Sequence, residues 1–155
     1  MERTNGTMYS IGVVAGRLDV SVETIRLYER EGLIIPEKTK AGHRRFSAHD
    51  IERLECIREM LTKKGMNLEG VRRVMAMIPC WRINPECTPE KYSDCPALRN
   101  SAIPCWMLEE KGSLCADVDC YTCPVYRMHV DCDEIKSLYH TQTFTKTIPP
   151  SIKGE

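Results

Sequence analysis

The chain has no net charge: 22 basic and 22 acidic residues cancel. Bulk electrostatics therefore selects no partner. It has no apolar run approaching the roughly 20 residues of a membrane span, so no membrane partner is expected. The N-terminal stretch lacks the basic start, continuous apolar core and cleavage site of a secretory signal, which makes a cytoplasmic location the expectation. There is no phosphate-cradling glycine loop, no nucleotide fingerprint and no carboxylate–histidine arrangement. Without these, an enzyme is not expected. No Cys-x-x-Cys-His occurs, which excludes covalently attached haem. Finally, the first 78 residues are nearly free of cysteine, with Cys56 alone.

What the front half lacks, the back half concentrates. Eight of the nine cysteines fall between Cys80 and Cys132. They lie in two tandem stretches, "PCWRINPECTPEKYSDCPALR" and "PCWMLEEKGSLCADVDCYTCPVYR", each opening with Pro-Cys-Trp and closing on Cys-Pro and an arginine. In the first, Cys87 and Cys95 lie 7 and 15 positions after Cys80; in the second, Cys115 and Cys123 lie 10 and 18 positions after Cys105. Cys120 and Cys132 are additional. In a reducing compartment such a pattern reads as ligation and not as a disulfide framework. Cys80, Cys87, Cys95, Cys105, Cys115, Cys120, Cys123 and Cys132 are thus candidate ligands. They suffice for two four-thiolate sites, or for one cluster plus a second metal. Thiolates suit iron–sulfur clusters and borderline ions alike. The favoured expectation is an iron–sulfur cluster of the four-iron type, a redox or oxygen sensor. The alternative is zinc or another thiophilic metal, as a structural staple or as the sensed ion.

Several residues have plainer readings. Trp81 and Trp106 can shield a metal site or simply pack. A proline after a cysteine often only fixes a turn. His129 is a possible substitute ligand, although a surface histidine is the simpler reading. Cys56 reads as a packed or half-exposed helical thiol.

The front half reads as short helices with clear punctuation. Ser10 caps a helix bearing Ile11, Val14 and Leu18; after a tight turn, Ser21 caps a second from Val22 to Glu31, stopped by Gly32. "LIIPEKTKAGHRRF" predicts a hairpin turning at Gly42. Ser47 with Asp50 predicts a capping box for a third helix, with a stripe of Ile51, Leu54, Ile57 and Leu61. Asn67 caps a fourth helix, which Pro79 ends. Helix, turn, helix, then a basic hairpin is the winged helix-turn-helix layout. The charge asymmetry agrees: residues 1–78 carry 14 basic against 11 acidic residues.

The stretch from Tyr9 to about Met75, with "SVETIRLYEREGLI", "GHRRFS" and "KKGMNLEGVRRVM", resembles the DNA-binding domain of the MerR family of transcription regulators. The resemblance implies that Ser21, Thr24, Arg26 and Tyr28 lie at the DNA backbone and major groove. It also implies that Arg44, Arg45 and Phe46 form the wing. Leu27 stands where an aromatic is common, and Phe46 where tyrosine is common; Phe46 is therefore expected to pack. Many relatives continue into a long antiparallel dimerisation helix. Here "MIPCW" interrupts, which leaves the cysteine half as the candidate for holding a dimer together. The pieces "PCW", "CPALR", "PCW" and "CYTCPVY" resemble cysteine-rich modules with two Cys-Trp motifs in bacterial and archaeal redox-associated proteins.

The expected fold is therefore mainly α. A winged helix-turn-helix DNA-binding domain at 9–78 follows an N-terminal extension at 1–8. A small, loop-rich, metal-stapled cysteine domain spans 79–132, and a short helix and mobile tail occupy 133–155. The expected function is that of a MerR-like regulator. It would bind double-stranded promoter DNA as a homodimer, act with RNA polymerase at the promoter and respond through its cysteine centre.

Overall fold

The computed structural model describes residues 6–128 and 132–140, with the side chains of the last segment described from Ile135 to Tyr139. The first five residues, His129 and the tail from Thr141, expected to be mobile, lie outside the described residues.

Strand β1 (Tyr9–Ser10) leads directly into α1 (Ile11–Leu18) and, across a turn, into α2 (Val22–Arg30). Ser10 and Ser21 accept hydrogen bonds from Val13 N and Thr24 N, satisfying otherwise orphaned donors. Asp19 makes the turn in the left-handed region, at φ 53°. Gly32 ends α2 at φ 71°, and a Cβ there would meet Met107 Sδ at 2.1 Å. The positive φ is what favours glycine here, since the flexible Met107 side chain could shift. The wing is β2 (Glu37–Lys38) paired antiparallel with β3 (Arg44–Phe46), turning at Gly42. β1 adds to the other edge of β3, giving a three-stranded sheet ordered β1-β3-β2. This first strand is only two residues long; its polar-apolar pair carries no readable period.

Helix α3 (Ala48–Thr62) opens on the expected Ser47–Asp50 capping box, and α4 (Leu68–Ala76) on Asn67. The core gathers Val14, Leu18, Ile25, Phe46, Leu54, Ile57 and Val71, all buried. Phe46 is fully buried, as expected of a packing residue. At the end of the α3 stripe Met60 is fully buried whereas Leu61 is only partly so. Helical spacings of three and four permit either residue to close a stripe.

After Ile78 the chain breaks into short pieces: α5 (Cys80–Ile83), α6 (Pro89–Tyr92), 3₁₀ turns at Pro96–Arg99, Cys105–Met107 and Cys120–Thr122, and α7 (Pro124–Arg127). The final helix α8 (Cys132–His140) was expected from Asp133; it buries Ile135 and returns to α4's end, where Tyr139 Oη donates to Met77 O at 3.0 Å. Among the described residues no long dimerisation helix follows α4, and none is long and apolar enough to cross a membrane. The cysteine half packs onto the front: Val125 and Ile135 join its core, with Cys80, Cys105, Trp106 and Cys123 packed against it.

Candidate nucleic-acid interface and cysteine centre

Helix α2 offers a polar face beside the wing. Ser21 and Arg26 are exposed and Thr24 is half-buried. Ser21 Oγ lies 2.9 Å from Thr24 Oγ1, and Arg26 is held by Glu23 at 2.5 Å. Glu29, on the same helix, pairs with Arg44 and reaches Lys38 at 4.0 Å, which pins the hairpin against α2. Arg44 is therefore partly committed to bracing the wing, whereas Arg45 is exposed. Tyr28 differs from its expected place at the DNA backbone: only 6% exposed, it belongs to the core. It lies three residues after Ile25, on the helix's inward face. Burial raises the pKa of its hydroxyl.

In the back half the two repeats face a common cavity of about 50 Å³. Cys80, Cys87 and Cys95 reach it from the first repeat; Cys105, Cys115, Cys120 and Cys123 reach it from the second. All seven are partly buried free thiols. Cys132 opens α8, and its side chain lies outside the described residues. Burial pushes the thiols of Cys80 and Cys105 up to about 12, and neighbouring cysteines push the same way. Burial likewise raises Cys87 and Cys115. Ligation would thus displace protons from these sulfurs. Lys111 Nζ donates to Cys120 Sγ at 2.8 Å and supplies a counter-charge.

The chemistry of the donors suits a thiophilic centre, and the walls contributed by Trp106, Val125 and Tyr126 suit one shielded from water. Among the described residues no three His, Cys, Asp or Glu side chains are gathered tightly enough to hold a single metal ion. The sulfurs ring a space instead of meeting at a point.

Three aromatic residues, each within three residues of a second-repeat cysteine, fasten this half to the front. Trp106 Nε1 donates to Gly32 O at 2.7 Å, and Tyr126 Oη accepts from Ile35 N at 2.6 Å. Tyr121 Oη donates to Asp50 Oδ2 at 3.0 Å, within the α3 capping box. Arg53 of α3, 2% exposed, is the hub. It donates to Leu33 O at 2.8 Å and Tyr126 O at 2.6 Å, and stacks over the rings of Tyr126 and Trp106 at 4.2 and 5.0 Å. Burial lowers its pKa. Sequence reasoning missed Arg53, although its spacing of three from Asp50 marks a second buried side of α3. Cys56, next on that side, is half-buried as expected.

Residues 9–78 match the MerR HTH family of regulatory proteins. Over that stretch, less than half of the chain, the segment is similar to MerR-type helix-turn-helix domains. The chain is 33% identical over 76 residues to the HTH-type transcriptional regulator GlnR of Bacillus anthracis, covering 49% of this chain and 58% of that protein. It is 37% identical over 71 residues to the mercuric resistance operon regulatory protein of Bacillus cereus, covering 45% and 53%. The HTH-type transcriptional regulator ZntR of Escherichia coli is 35% identical over 80 residues, covering 51% and 53%. The chain spans about half the length of these curated relatives. A solved structure of HiNmlR, a MerR family regulator lacking the sensor domain and bound to promoter DNA, covers 43% of this chain and 51% of its own, with 28% identity and a TM-score of 0.40. The MerR match ends at Ile78, two residues before the first cysteine of the repeats.

Proposed function

We propose that the protein is a MerR-type transcription regulator that binds double-stranded promoter DNA as a homodimer and acts there with RNA polymerase. In this reading the cysteine half holds an iron–sulfur cluster whose redox state or presence is the signal. The DNA-binding part is carried by one observation: a domain similar to the MerR type displays Ser21, Thr24 and Arg26 on α2, with Arg45 on a wing pinned beside it. Short polar side chains and arginines at those places can contact phosphates and base edges. The cluster is supported by seven thiols around one cavity with apolar walls. When bound, such a group supplies a charge that changes with redox state. The chain's own residues then convert its loss or gain into movement, because Trp106 and Tyr126 line the cavity and also bond Gly32 and Ile35 between α2 and the wing.

Zinc remains the second reading, favoured by the brevity of the back-half elements, which need a staple. Protein purified without oxygen decides between them. Near-equimolar iron and sulfide, with broad absorption near ~400 nm that bleaches in air, is the expected result. Colourless protein holding only zinc overturns the cluster. Selection from random duplexes should enrich a two-fold symmetric site; failure to enrich any sequence overturns the regulator reading.

A further inference from the structure

The two Pro-Cys-Trp repeats invite the assumption of one metal site each. The structure brings them together differently. Three sulfurs of the first repeat and four of the second line the same cavity. Gly112, between the second repeat's cysteines, lies against Cys95 of the first. A Cβ at Gly112 would stand 2.9 Å from Cys95 Sγ and 3.1 Å from its Cβ. The second repeat thus leaves a notch that admits a first-repeat thiol.

Size points the same way. A single water-sized sphere occupies roughly 10–15 Å³ by this measure, whereas the cavity holds about 50 Å³. There is space for several atoms at the centre, and no three donors converge on one point among the described residues. We propose that the two repeats build one shared polynuclear centre, a single thiolate-ligated cluster spanning both, and not one metal site per repeat. This inference rests on the reading of the cysteine half as a metal-binding module. Lys111, bonded to Cys120, offsets part of the negative charge that such a crowd of thiolates collects.

A shared centre makes binding all-or-none along the chain, because neither repeat alone supplies the full cage. The test is native mass spectrometry of the wild-type chain during anaerobic reconstitution with limiting ferrous iron and sulfide, and separately with zinc. One centre predicts two dominant masses per chain, empty and fully loaded. A stable half-loaded species, abundant at intermediate loading, overturns the proposal. Variants provide the second arm. Replacing all three first-repeat cysteines by serine, or the four of the second repeat, should in each case remove nearly all metal. Retention of about half in each variant overturns the shared centre. Gly112→Ala keeps every cysteine and should shift the absorption of the loaded protein or weaken loading through Cys95; an unchanged spectrum and affinity counts against the shared cage. All-or-none zinc loading without iron and sulfide uptake keeps the single centre and overturns the iron–sulfur reading. A half-loaded iron–sulfur species does the opposite.

Discussion

The two halves of the chain are held by different means. In the front half four helices start at Ser10, Ser21, Ser47 and Asn67, and each of these side chains accepts from the backbone three residues on. In the back half α5, α6 and α7 have no side-chain cap, and α5 and α6 bury no residue fully. One set of elements is specified locally and then packed. The other has little local reason to exist, and its order comes from what it docks against and, in the proposed reading, from a centre held by its cysteines. Short helices without caps are marginal in isolation. The difference shows that a segment of about fifty residues can be organised from its edges inward when it has no core of its own.

If the cysteines hold the proposed centre, removing its metal should break the comparison most severely. Stripping it with a chelator under reducing conditions is expected to leave amide exchange in α1–α4 largely slow. Exchange at 80–123 should accelerate sharply, since local opening then costs little. Equal protection in both halves before and after stripping would show that docking alone holds the back half.

Arg53→Ala should have the next largest effect. It removes a buried cation that joins the halves and leaves the carbonyls of Leu33 and Tyr126 without their donor. A loss of about 2–4 kcal/mol in chemical denaturation is expected. Arg53→Lys should recover only part of it, because an ammonium cannot fork to two carbonyls and stack on two rings. A loss within experimental scatter for the alanine variant would remove Arg53 as the hub.

Arg53 also marks the limit of what could be read in advance. The Ser47–Asp50 box and the Ile51–Leu54–Ile57 stripe were legible because capping and helical periodicity act over three or four residues. The wing was legible from Gly42 and its flanking residues. The burial of Asp50 and Arg53 was not, because what buries them arrives about seventy residues later, with Tyr121 and Tyr126. Tyr28 was assigned to the DNA surface by resemblance, although its spacing from Ile25 already placed it inward. The candidate ligands were visible as a pattern, but spacing cannot say which thiols share a space. Only the fold shows seven of them around one cavity.

Tyr121→Phe sharpens the comparison more gently. It keeps the ring and removes one hydroxyl, which donates to Asp50 Oδ2 and lies 3.3 Å from Ser47 Oγ. The capping box keeps its internal bonds, at 2.7 Å from Ser47 N and 2.9 Å from Ser47 Oγ to Asp50 Oδ2. The expected loss is about 1 kcal/mol. Metal content should be unchanged, because Tyr121 touches the front half through its hydroxyl and not the cavity. If metal content falls with stability, the docking contact and the cysteine cage are one cooperative unit.

Arg45→Ala should change stability least of all. Arg45 is an exposed wing residue, whereas its neighbour Arg44 is tied to Glu29. Removing an exposed arginine without structural partners changes stability by no more than about 0.5 kcal/mol. Its effect should appear on DNA instead. A phosphate contact releases condensed counterions, so its loss should flatten the log-affinity against log-salt slope by about one unit or slightly less. The loss of affinity should be similar on the selected site and on random duplex, because phosphates carry no sequence information. Arg26→Ala on α2 should behave in the same way. Arg44→Ala should differ, since it also frees Glu29 and loosens the wing against α2. A double variant separates bracing from contact: with Glu29→Gln already in place, Arg44→Ala should lose its extra effect, while Arg45→Ala keeps its own. Unchanged salt slopes for both Arg26→Ala and Arg45→Ala would take α2 and the wing out of the DNA interface.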